Sequence, residues 1–103
     1  MVITIFKVRM KPGVDRAEYG ARVANLLGLA QKIPGFKSIN GYRAEDGEEL
    51  ILIEFDNEQA LKQWREHPEH LIAQELGRST YYAEYQIQIC SPIREYSFKA
   101  PTT

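Results

Sequence analysis

The residue types able to do chemistry crowd into one stretch of this sequence. Trp64-Arg65-Glu66-His67-Pro68-Glu69-His70 is followed at short range by Gln74, Gly77-Arg78 and Tyr81-Tyr82, and it holds both histidines of the chain. A neutral imidazole takes up a proton near neutral pH, so His67 or His70 is a candidate general base toward an acidic hydroxyl or carbon acid. Trp64, with phenols from Tyr81, Tyr82 or Tyr85, offers aromatic surface against which a flat conjugated ligand can stack. Arg78 and Arg94 are candidates for holding a carboxylate or phenolate. Each also has a plainer use. A histidine before proline suits the start of a helix, Trp64 one turn beyond Leu61 suits a helix core, and arginines commonly pair with surface carboxylates.

The spacing of His67 and His70, with Glu66 and Glu69 beside them, raises the question of a metal. Pro68 interrupts the helix that would align these ligands, and no cysteine or third histidine joins them, so no metal is expected. Cys90, the single cysteine, sits among strand-forming residues and reads as packing rather than as a redox thiol. Nothing resembles a phosphate loop, a dinucleotide fingerprint or a nucleophile elbow. No flavin or nicotinamide is expected, and the cofactor expectation is none.

These residues need elements to position them. Val2 to Arg9 is rich in β-branched residues and meets no breaker before Lys11-Pro12-Gly13, which predicts a strand ended by a turn. Asp15 is placed to cap a helix, with Glu18 as the reciprocal half of a capping box. Tyr19, Val23, Leu26, Leu27, Ala30 and Ile33 then recur at helical spacing until Pro34-Gly35 stops the run. Strand-like runs at about Phe36 to Ala44 and Glu48 to Phe55 flank Glu45-Asp46-Gly47, where the Asp-Gly pair suits a tight antiparallel hairpin. A second helix is expected from Asp56 or Asn57 through Ala60, Leu61 and Trp64 to a break at Pro68. A short helix resumes there and ends at Gly77, with Arg78-Ser79-Thr80 as loop. The last strand, Tyr82 to Ser91, alternates Tyr85, Ile87 and Ile89 with Glu84, Gln86, Gln88 and Cys90.

The order is βαββαβ, which predicts an α+β, ferredoxin-like fold: a four-stranded antiparallel sheet with both helices on one face. The other face poses a problem, because Leu50-Ile51-Leu52-Ile53 and Val2-Ile3-Thr4-Ile5-Phe6 are apolar at almost every position. A face meeting water would alternate. At about 25 cal/mol per Å² of apolar area, leaving such a face wet forgoes several kcal/mol, so sheet-to-sheet pairing of two copies is expected, with Ile93, Tyr96 and Phe98 as an arm across the partner. Gln86, Gln88 and Asn40 are expected to line an inner space.

A chain of 103 residues, 44% hydrophobic, suits one domain, expected over residues 1–98 with 99–103 as a loose tail. A formal charge of −1, with no cluster of Lys and Arg, argues against nucleic acid. No apolar run approaches the roughly 20 residues that cross a bilayer, and Met1 to Met10 does not read as a secretory leader. With one cysteine besides, a cytoplasmic protein is expected.

Val-Ile-Thr-Ile-Phe at the start, Pro34-Gly35-Phe36, the strand Ile51-Leu52-Ile53-Glu54-Phe55 and the run Trp64 to His70, continuing through Gly77-Arg78 to Tyr82 and Tyr85, together resemble the antibiotic biosynthesis monooxygenase superfamily over nearly the whole chain. The resemblance implies a dimeric α+β barrel of ferredoxin-like subunits, with a cavity between each sheet and its helices. Some members oxidise polyketide phenols there with dioxygen and no cofactor. It assigns Trp64 to substrate stacking, His67 or His70 to proton transfer, and Asn40, Tyr82 or Arg78 to stabilising an anion or oxygen. The haem-degrading branch differs: its iron-ligating histidine lies near where this chain has Gln74, and its first-strand asparagine is absent. Two functions follow, a cofactor-independent oxygenase of electron-rich aromatics or quinols, or a non-catalytic binding or stress-related dimer that takes a small molecule or haem through His67 or His70.

Overall fold

The computed structural model describes residues 1–102. Its elements are β1 (Val2–Met10), α1 (Arg16–Ala30), β2 (Phe36–Arg43), β3 (Glu49–Phe55), α2 (Glu58–Arg65), α3 (Pro68–Leu76), a π-helical turn (Gly77–Tyr81) and β4 (Tyr82–Cys90). The strands form one sheet in the order β2-β3-β1-β4, every neighbouring pair antiparallel. This is the ferredoxin-like α+β arrangement, with the second helix divided in two at Pro68.

The boundaries follow from local chemistry. Asp15 caps α1 by accepting from the Glu18 amide at 3.0 Å. The expected return bond from Glu18 is replaced: its carboxylate accepts from Arg22 at 3.3 Å and from the Tyr81 hydroxyl at 3.0 Å, tying the helix to the π-helical turn. Gly35 turns the chain at φ +95, where a Cβ would lie 2.9 Å from that of Ala60, so only glycine lets β2 start this close to α2. In the hairpin, Gly47 closes the turn by donating to the Ala44 carbonyl at 3.0 Å. Asn57 caps α2 through the Ala60 amide at 2.9 Å, and Pro68 occupies the first turn of α3, where its missing N–H costs nothing.

The core lies between the sheet and the helices, where Phe55, fully buried, packs with Val2, Ala30, Ala60, Leu61 and Trp64. Pairing fixes which side chains share each face. Val2, Thr4, Phe6 and Val8 stand opposite Phe55, Ile53, Ile51 and Glu49 on one side and, from Thr4 on, Ile89, Ile87 and Tyr85 on the other. These residues face the helices. Ile3, Ile5, Leu50, Leu52, Tyr42, Asn40, Gln86 and Gln88 face away.

Two β-bulges set these memberships. Between Phe36 and Ser38 the register against β3 slips by one, and a one-residue slip turns every following side chain over. Strict alternation from Phe36 would bring Asn40 to the helix side; instead Asn40 stands opposite Leu52 on the bare side. The second irregularity lies between Arg9 and Met10, where Arg9 opposes Glu84 but Met10 opposes Tyr82. Ala83 is the extra residue, and it brings Tyr82 to the same side as Tyr85.

Arg78-Ser79-Thr80, expected as loop, belongs to the π-helical turn. Beyond Cys90 the described residues form neither helix nor strand, and Ile93, Tyr96 and Phe98 are 94%, 85% and 88% exposed. Of the tail expected at 99–103, residue 103 lies outside the described residues. Among the described residues no helix is long and apolar enough to cross a membrane.

Candidate ligand-binding and active site

A cavity of about 200 Å³ opens between the sheet and the helices. Its floor is Thr4 and Phe6 of β1, Ile53 of β3, and Tyr85, Ile87 and Ile89 of β4. Leu26 of α1, Leu61 and Trp64 of α2 and His70 and Ala73 of α3 cover it, and Arg65, Gln74 and Arg78 bring polar groups to its wall. An apolar cavity of roughly 150 Å³ already holds benzene, so the space suits a one- or two-ring aromatic. It opens at the sheet edge, where Tyr85, Ile87 and Ile89 stay about half exposed.

Trp64 and His70 form the centre of the cover. Pro68 starts α3 in a new direction just after α2, which lays the His70 ring flat on the Trp64 indole, centroids 4.2 Å apart and planes 16° apart. His70 Nδ1 lies 3.0 Å from the Trp64 carbonyl oxygen. A carbonyl only accepts, so Nδ1 carries the proton and Nε2 keeps its lone pair. The Gln74 amide, 3.5 Å from the same Nδ1, is then no donor to it and serves the Arg65 carbonyl at 3.1 Å. Burial lowers the pKa of His70 against the pull of that carbonyl, and the neighbouring His67 lowers it further. The site therefore holds a neutral imidazole with one fixed tautomer.

At the other end Phe6, Tyr82 and Tyr85 pack edge to face, with centroids 5.6–5.8 Å apart. Tyr82 depends on Gly77, since a Cβ there would lie 2.3 Å from its ring. The π-helical turn, a rare geometry that recurs at functional sites, delivers Tyr82 into β4 directly above the Ala83 bulge. Burial pushes the Tyr82 phenol well above its ordinary pKa, and its oxygen lies 3.4 Å from that of Tyr19. It stays a neutral hydrogen-bonding group.

Of the residues singled out from sequence, the fold brings Trp64, His70, Tyr82, Tyr85 and Arg78 to one cavity. Arg78 lies at its rim, paired with Glu75 at 3.2 Å. His67 is engaged elsewhere: its Nδ1 caps α3 by accepting from the Glu69 amide at 3.1 Å, so its ring is held by the helix end. Asn40, Gln86 and Gln88 stand on the opposite side of the sheet, and Asn40 is turned there by the bulge in β2. Thr4 and Phe6 escape attention in the sequence, while Arg65 and Gln74 stand in the chemistry-bearing stretch without a role assigned to them. The signal for Thr4 is its place as the one polar residue in the inward alternation Val2, Thr4, Phe6, Val8. Among the described residues no cluster of three or more His, Cys, Asp or Glu is placed to hold a metal ion.

A ferredoxin-like sheet with helices on one face and an aromatic-walled cavity between the layers defines a class of small α+β ligand-site folds. The sequence profile described as Antibiotic biosynthesis monooxygenase matches residues 1–76, and the chain belongs to that family. YqjZ of Bacillus subtilis (strain 168) is 32% identical over 84 residues, 82% of this chain and 74% of YqjZ. Rv0793 from Mycobacterium tuberculosis has the same fold at TM-score 0.76 and 23% identity, over 93% of this chain and 98% of that one. SnoaB from Streptomyces nogalater, a cofactor-independent oxygenase, matches at TM-score 0.74 and 14% identity, over 91% of this chain and 94% of SnoaB.

Proposed function

We propose that this protein is a cofactor-independent monooxygenase that oxidises a small electron-rich aromatic or quinol with dioxygen, and that it works as a homodimer in the cytoplasm. The observation that carries the proposal is the neutral His70, stacked on Trp64 within an aromatic-walled cavity, with Nε2 free to accept a proton. Membership of the family and the shared fold of SnoaB support the same class of chemistry.

The reaction needs little from the protein. His70 Nε2 takes the proton of a phenolic hydroxyl, and the electron-rich phenolate passes one electron to dioxygen. The ring radical and superoxide then combine at carbon to a peroxide. Loss of water breaks the O–O bond and leaves a quinone: one oxygen atom becomes the new carbonyl, the other departs as water, and the ring supplies all four electrons. Trp64 walls the ring, with one indole face already taken by His70, while Tyr82, Tyr85 and Arg78 border the space where negative charge develops.

Pairing through the bare sheet face is supported by Ile3, Ile5, Leu50, Leu52 and Tyr42, which form its apolar centre. The exposed Ile93, Tyr96 and Phe98 supply an arm to the partner.

The test incubates purified protein with a panel of hydroxylated arenes under heavy-isotope dioxygen. One labelled oxygen per quinone is expected, with His70→Ala slowing formation by about 100-fold or more and His67→Ala acting only through stability. Unlabelled quinone accompanied by hydrogen peroxide, or rates equal to those in buffer, would sink the oxygenase. Ligand binding without turnover marks the non-catalytic dimer instead. The tightness of the cavity disfavours haem as that ligand, since a tetrapyrrole exceeds a two-ring aromatic several-fold.

A further inference from the structure

Thr4 is 7% exposed, and its Oγ1 has no hydrogen-bond partner among the described residues. It stands mid-strand between Ile53 and Ile89 on the floor of the cavity. An unpaired buried hydroxyl loses its hydration with nothing in return. Valine has nearly the same shape, suits a strand at least as well and would be free of that loss. The neighbouring inward positions of β1 are the apolar Val2, Phe6 and Val8.

We infer that Thr4 is a ligand-binding residue whose hydroxyl donates to an oxygen substituent on the ring, so that the cavity selects hydroxylated aromatics over plain hydrocarbons. The inference rests on the cavity being an aromatic site. Thr4 belongs to the floor and His70 to the cover. A ligand filling so small a space lies between a donor on one side and a proton acceptor on the other. A phenolic hydroxyl meets both needs, because its proton goes to His70 Nε2 while its oxygen accepts from Thr4. When the proton leaves, the oxygen becomes a phenolate and the Thr4 hydrogen bond becomes charge-assisted and stronger. Specificity then comes from an orphaned polar group, which strengthens the binding only of ligands that can pair with it.

The chain has one tryptophan, so Trp64 gives the sole indole N–H resonance in an amide-proton correlation spectrum, and that resonance reports the cavity without any turnover. Titrating it without oxygen with 1-naphthol and with naphthalene compares ligands differing by one hydroxyl. Wild type is expected to prefer naphthol; Thr4→Val is expected to lose about tenfold in naphthol affinity, with naphthalene unchanged, and Thr4→Ser to keep the preference. Thr4→Val should also melt about 4 °C or more higher, because it removes an unpaired buried group. Equal naphthol affinity in wild type and Thr4→Val, or a lower melting temperature in Thr4→Val, overturns the role of Thr4 while the aromatic site stands. If neither compound shifts the resonance in wild type, the aromatic site falls and Thr4 with it.

Discussion

The two faces of the sheet are built from the same four strands, often from adjacent residues, yet they meet different fates. On the helix side Phe55 and Trp64 are buried to 0% and 5% exposure, and the packing still leaves room for a ligand. On the other side Ile3, Ile5, Leu50 and Leu52 keep partial exposure although no helix covers them. The contrast teaches that apolar content alone does not mark a core. One face is closed by the chain itself, and the other keeps apolar side chains that its own chain leaves uncovered, the feature on which the proposed pairing of two copies rests.

The sharpest way to break this contrast is a pair of substitutions, one per face. Phe55→Ala should cost about 3–5 kcal/mol by opening a cavity in the core, a large part of the stability of a domain of this size, read as a lowered denaturant midpoint. Leu52→Asp should leave the subunit folded but drive light scattering from a dimer mass to a monomer mass, because two carboxylates would be buried at the pairing face. A dimer that survives Leu52→Asp would move the interface elsewhere. Gly77→Ala tests the helix side more finely. The new methyl meets the Tyr82 ring, and a stability loss of about 1–3 kcal/mol is expected, together with a displaced Trp64 indole resonance on titration with 1-naphthol.

The smallest effect is the pH response of His70. Burial holds its folded pKa below the ordinary value, so the unfolded chain takes up the proton first. Stability from the neutral ring is therefore complete above the unfolded pKa of about 6.5 and declines as pH falls toward the folded pKa. Wild type should lose up to about 1.4 kcal/mol per pH unit more than His70→Gln in that window, measured by denaturant titration. Parallel curves would show that His70 is solvated, and would remove the neutral base from the site.

Much of the fold is legible in the sequence because its signals are local. Asp15, Asn57 and Pro68 mark helix starts by capping and by ring geometry, and Gly35 and Gly47 mark turns by permitting positive φ. The strands declare themselves through β-branched runs. What is hidden depends on pairing. Counting by twos from Phe36 assigns Asn40 to the cavity, and counting from Tyr85 puts Tyr82 outside it; both results are reversed by bulges that no residue type announces. The π-helical turn is equally silent, since Gly77-Arg78-Ser79-Thr80 has the composition of a loop. His67 and His70 look equivalent in sequence, and only the capping bond to the Glu69 amide separates a helix start from a cavity wall.

The bulges at Phe36/Ser38 and at Ala83 also bear on how such a site changes over generations. Each is a single extra residue in an otherwise regular strand: deleting it restores plain alternation and leaves the other side chains on the sides they now face, whereas keeping every residue and pairing without the bulge exchanges the two sides beyond it. In β2, pairing without the bulge would turn Asn40 inward and Ile39 outward; in β4, counted back from Tyr85, it would withdraw Tyr82 and present Ala83. Lineages built on this sheet thus have a route to a new lining in which changes that create or remove a bulge at constant length turn a whole strand segment at once, the coarse adjustment of ligand choice, with single side-chain replacements as the fine one.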